Sequence, residues 1–147
     1  MLPSHRRHLL RCALALGTAG LLPAARACEF FGPTLRVTHP WVQASMPGDT
    51  SALVRIRFDE VSEDDRLVGL ETPVAEAAEL LVDGRPQPLG FAIPAGQTTE
   101  LGEDGVQLRL VRLRQPLEVG RAYPLTLHFH KGGAMKASLS VDLQRFA

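Results

Sequence analysis

The chain has 147 residues, with 16 basic and 16 acidic side chains and a hydrophobic fraction of 45%. The charge is unevenly placed. Residues 1–27 hold four of the basic residues and none of the acidic ones, which leaves 12 basic against 16 acidic, a net charge of −4, in residues 28–147. A mildly acidic domain argues against nucleic acid as a partner, because the phosphate backbone selects basic surfaces.

The first 27 residues read as an export signal. A basic opening with Arg6, Arg7 and Arg11 precedes the apolar run Cys12-Ala13-Leu14-Ala15-Leu16, which resumes at Leu21-Leu22. Ala25-Arg26-Ala27 then offers small residues at the two positions a signal peptidase reads. The stretch His5-Arg6-Arg7-His8-Leu9-Leu10-Arg11 resembles the twin-arginine pattern, the alternative being an ordinary secretory signal. The expected mature domain is 28–147, exported to a bacterial periplasm, with no transmembrane segment after Ala27. Cys28 is then the one cysteine left. It cannot form an internal disulfide, so it is lipidated, linked to another chain, or a free thiol.

Beyond the signal the pattern is β. Leu35–His39 is short and alternating. In Leu53–Phe58, Arg55 and Arg57 take one face and Val54, Ile56 and Phe58 the other. Val106–Leu110, Leu125–His130 and Ala137–Leu143 alternate in the same way, each marking a strand with one buried and one wet face. Turn residues separate the runs at Pro47-Gly48-Asp49, Asp83-Gly84, Pro94-Ala95-Gly96, Glu103-Asp104-Gly105 and Lys131-Gly132-Gly133. The spacing predicts one antiparallel sandwich or small barrel. Val74–Leu81 is the one stretch that could pass for a helix. His39-Pro40-Trp41 reads as a bend with the tryptophan capping the core.

Four stretches carry a family resemblance. They are Leu35–Ala44; Asp64–Gly69 with Thr72–Ala75; Ile93–Gly96 leading to Glu100, Leu101 and Gly105; and Leu113–Gly120 with Tyr123–Phe129. In this order and spacing the chain resembles the PCuAC family of periplasmic copper chaperones. The resemblance implies a single, all-β, cupredoxin-like antiparallel sandwich that holds Cu(I) through histidine and methionine and passes it to a respiratory copper enzyme or its assembly factors.

The ligand positions implied by that resemblance have changed. Leu81 stands where the family has a histidine. The hairpin Asp83–Pro88 lacks methionine, and Gln107 and Arg109 occupy the positions of a His-x-Met pair. Cu(I) is soft and prefers thioether, thiolate and imidazole. Leucine has no lone pair, and arginine brings a fixed positive charge. The soft side chains that remain close together in sequence are His128, His130 and Met135. The two histidines share a strand face by parity, and Gly132-Gly133 would let Met135 fold back beside them. They are the candidate copper ligands; the alternative is two surface histidines and a core methionine. No hydrolase elbow, phosphate loop or dinucleotide fingerprint is present, and no enzymatic activity is expected. The expected function is a copper-chaperone-like binding protein with a degenerate site. The alternative is a metal-free interaction domain on the same scaffold.

Overall fold

The computed structural model describes residues 29–102 and 105–143. The expected export signal and Cys28 lie outside the described residues. Eleven strands follow one another: β1 (Glu29–Phe31), β2 (Arg36–Gln43), β3 (Ser51–Asp59), β4 (Asp65–Glu71), β5 (Ala75–Val82), β6 (Arg85–Gln87), β7 (Phe91–Ile93), β8 (Thr99–Leu101), β9 (Val106–Leu113), β10 (Ala122–Phe129) and β11 (Gly133–Asp142). No helix occurs among the described residues, and none is long and apolar enough to cross a membrane.

The strands pair in the order β6-β5-β9-β3-β2-β11-β10-β4-β7, with β1 added to β2 and β8 to β3. The sheet curls into two layers, and Phe58 of β3 shows this directly. Its ring meets Phe91 of β7 and Phe129 of β10, both at 6.1 Å between centroids. The predicted alternation is realised. Val54, Ile56 and Phe58 are buried while Arg55 and Arg57 face out, and Leu108 and Leu110 are fully enclosed between Gln107, Arg109 and Val111. Val37, Leu67, Leu125, Leu127 and Leu139 come from the other strands to the same core. Burying each such side chain stabilises the fold by about 1.5–3 kcal/mol. All pairings but one are antiparallel; β11 runs parallel to β2, with Trp41 opposite Ser140.

Two expectations are corrected. Val74–Leu81 is not a helix: Ala75 to Val82 form β5, paired along its length with β9. The run Ala-Glu-Ala-Ala-Glu-Leu-Leu favours helix intrinsically, but tertiary pairing overrides so weak a preference. Trp41 does not cap the core either. The β2–β3 register shifts between Thr38 and Trp41, with His39 at φ 49°, a left-handed bulge that leaves Pro40 and Val42 buried and turns Trp41 outward. Its ring lies beneath the Arg55 guanidinium, 5.5 Å away.

Two networks centred on buried carboxylates tie neighbouring segments together. Arg36 donates twice to Asp59, at 2.6 and 3.0 Å, and also reaches Glu29 and Glu60, tying β1 and β2 to the end of β3. The Arg36 hydrogen bonds hold the Asp59 carboxyl below its usual value against the opposing effect of burial. Asp65, 5% exposed, accepts bonds from the N–H groups of Arg66, Lys131 and Gly132 and from the Thr34 hydroxyl. It therefore joins three separate segments at one carboxylate.

Candidate functional site

The face where the resemblance implies metal ligands lies on β5, β6 and β9. Val82 pairs with Arg85 across a two-residue turn in which Asp83 and Gly84 both have positive φ, 50° and 76°. That is the conformation an Asp-Gly hairpin favours, because it matches the twist of the flanking strands. The turn fixes the register of β6, setting Pro86 opposite Leu81. On the other side of β5, Leu81 faces Gln107 and Glu79 faces Arg109. Directly opposed residues leave a sheet on the same side. Leu81, Pro86, Gln107, Glu79 and Arg109 thus share one outward patch.

The chemistry of the patch is closed. Leu81 is only 9% exposed, pressed between neighbours on the outer face rather than in the main core. The Arg109 guanidinium makes two hydrogen bonds to Glu79 Oε1, one from Nε at 2.9 Å and a closer one from Nη2. Both side chains are about one-quarter to one-third exposed. A charge pair therefore crosslinks β5 and β9 beside the leucine. No thioether, thiolate or imidazole belongs to this patch, so its donor set does not fit Cu(I).

The outward face continues across β3 and β2, where Leu53 lies opposite Arg109 and Arg55 opposite Trp41. A cleft of about 380 Å³ sits there, lined by Trp41, Met46, Leu53 and Arg55. Met46 and Leu53 are exposed, at 70% and 42%.

The sequence-derived set His128, His130 and Met135 is not brought together. Met135 pairs with Leu127 and points with it into the core, 8% exposed. Its methyl group lies so near Gly32 that a Cβ there would stand 2.6 Å from it. His128 leaves β10 on the opposite face. Its ring lies over Gly69, and its Nε2 is 3.0 Å from Glu71 Oε2. His130 is exposed beyond the end of β10, after a register shift between His128 and Phe129, and its N–H donates to the Arg66 carbonyl. No group of three or more His, Cys, Asp or Glu side chains able to hold a metal ion occurs among the described residues. Sequence reasoning missed Glu79. Antiparallel pairing could have revealed it: once Leu81 is set against Gln107, two steps in opposite directions oblige Glu79 to meet Arg109.

Comparison with known proteins places this geometry. The profile of the LpqE-like family, described as "Putative lipoprotein LpqE-like", matches residues 35–141. The chain belongs to the LpqE-like family. The protein "Putative lipoprotein Lxx21020" of Leifsonia xyli subsp. xyli is 28% identical to this LpqE-like chain over 144 residues, spanning 90% of it and 81% of the relative. Among solved structures, the copper-bound PCuAC domain from PmoF2 superposes with a TM-score of 0.71 at 21% identity, covering 79% of this chain and 98% of that domain. Apo-DR1885 from Deinococcus radiodurans gives 0.61 at 25% identity, covering 83% and 87%. The LpqE-like chain therefore has the PCuAC fold, as its sequence resemblance implied.

Proposed function

We propose that this chain is an exported protein of the PCuAC fold that acts by binding another protein, and that the copper position of its fold no longer accepts Cu(I). One observation carries the reading. The β5–β9 patch that the resemblance assigns to metal holds a buried leucine and an arginine already paired with a carboxylate. A cation entering there would meet a fixed guanidinium and no soft donor. The lipoprotein names of the family and of the Leifsonia relative support export. On this reading the chain does not ferry copper at this face to a respiratory enzyme; it keeps the scaffold and uses it as a binding surface.

The test is Cu(I) titration of the purified protein against a competing chelator, followed by the amide resonances of Leu81, Gln107 and Arg109. The expected result is no saturable binding at this face. A tight Cu(I) complex that shifts those resonances overturns the proposal. Intact mass of the exported protein tests cleavage between Ala27 and Cys28 and shows whether Cys28 is acylated.

A further inference from the structure

Each layer of the sandwich ends in a strand covered along only part of its outer side. β6 pairs with Leu80–Val82 of β5, so among the described residues Ala75–Glu79 has β9 on one side and no ladder partner on the other. Likewise β7 pairs with Asp65–Leu67 of β4 and leaves Val68–Glu71 open on that side. The two open stretches flank the corner at Thr72–Val74, where a cleft of about 310 Å³ is lined by Leu70, Glu71, Ala75, Ala77, Arg114 and Thr126.

Proteins commonly blunt such edges with proline or with charge, because a bare row of N–H and C=O groups recruits another strand. The neighbouring β6 is blunted in this way, by Pro86 within it and Pro88 just beyond. Ala75–Glu79 contains no proline. Its two acids are turned to the strand on its other flank, Glu76 to Arg112 at 2.6 Å and Glu79 to Arg109. The residues lining the cleft from this strand, Ala75 and Ala77, are small enough to let another backbone approach.

The charges of the cleft narrow the guest. Glu76 is paired with Arg112, and the largely exposed Glu71 hydrogen-bonds the His128 ring at the cleft's rim, whereas Arg114 makes no ion pair among the described residues and is the cleft's one unmatched fixed charge. At the corner the buried Thr72 hydroxyl also finds no hydrogen-bond partner among the described residues.

We propose that Ala75–Glu79 is a docking edge for an extended segment of a partner protein that carries an acidic side chain. The segment adds a strand to β5 on the side away from β9. Alternate side chains enter the cleft, and its carboxylate meets Arg114. A row of main-chain donors and acceptors is complementary to extended main chain above all. This inference rests on the protein-binding reading and names its surface and the chemistry of the partner.

The experiment pans a display library of short random peptides against the purified protein and maps the selected peptides by amide hydrogen exchange. Expected are acid-enriched peptides that protect Ala75–Glu79. Their affinity should fall at least about tenfold, or about 1.4 kcal/mol, in Ala77→Arg, which fills the cleft. It should fall several-fold in Arg114→Glu, an exposed change that leaves the core untouched. Failure to select any peptide, or protection confined to the cleft beneath Trp41, overturns the edge assignment. Protection of Ala75–Glu79 by self-association in the absence of peptide gives the edge to a second copy of this chain and also overturns it. Cu(I) binding at the Gln107–Arg109 patch would refute the proposed function while leaving the peptide footprint unchanged, so the two failures are distinguishable.

Discussion

Replacing Asp65 by asparagine should cost more stability than its size suggests. The carboxylate accepts three backbone N–H bonds of 2.8, 2.8 and 2.9 Å and the Thr34 hydroxyl at 3.2 Å, while only 5% exposed. Asparagine keeps one acceptor oxygen and turns an NH2 group toward donors. About two of the four bonds are then lost, each worth about 1.5–3 kcal/mol to a charged acceptor, and they are not fully additive. The expected loss is about 3–5 kcal/mol, a large part of the roughly 5–15 kcal/mol that holds a domain of this size. With a urea slope of about 1–3 kcal/mol per molar, the unfolding midpoint should fall by about 2 M at constant slope. The pH dependence gives a second readout. Burial alone would raise the Asp65 carboxyl, but the N–H bonds of Lys131, Arg66 and Gly132 and the Thr34 hydroxyl together hold it below its usual 3.8. A depressed folded value means that the stabilisation is complete above the unfolded pKa and disappears as pH falls through the folded one. Below about pH 4 the wild type should therefore lose stability faster than Asp65→Asn, and the gap between them should narrow. A variant within about 0.5 kcal/mol of wild type at neutral pH, the size of an ordinary surface substitution, would refute the reasoning.

Three further outcomes are expected. Combining Leu81→His, Pro86→Met, Gln107→His and Arg109→Met should create tight Cu(I) binding that Gln107→His with Arg109→Met alone does not, because Leu81 and the methionine-free hairpin remain in the latter; chelator competition decides it. The double variant His128→Ala, His130→Ala should leave copper affinity as it is in the wild type, because Met135 lies across the sheet from His128; a loss of saturable binding in titration would return the site to these residues. Arg36→Ala should destabilise the fold by about 1–3 kcal/mol by leaving the buried Asp59 carboxylate with fewer donors. Asp59, like Asp65, has a depressed folded pKa, so this difference should shrink as pH falls below about 4 in acid-unfolding curves.

The five alternating stretches of the sequence became parts of β2, β3, β9, β10 and β11, because a strand with one wet face writes its period directly into the residue order. β6, β7 and β8 have three residues each, too few to show a period. β5 was hidden for another reason: its alanines and glutamates favour helix locally, and only pairing with β9 makes them a strand. That Gln107 and Arg109 share the outward face of β9 was legible, since it depended only on parity along one strand. The grouping of Met135 with His128 was not. Parity places residues along one strand, whereas the face of a residue on the next strand depends on register, which the turn sets. Here Gly133 takes a positive φ of 72° opposite Phe129, and that register sends Met135 inward.

The parallel contact between β2 and β11 has a consequence for how the chain reaches its final state. Trp41 and Ser140 are neighbours in the sheet although almost the whole domain separates them in sequence. Contacts of such long sequence separation must be won against the entropy of closing a large loop, so folding belongs to the slow regime of milliseconds to seconds. A chain threaded through a narrow pore with its N-terminus leading could not complete this sheet until its last strand had emerged. Until then the seam between β2 and β11 would stay open, whatever the other strand pairs had done.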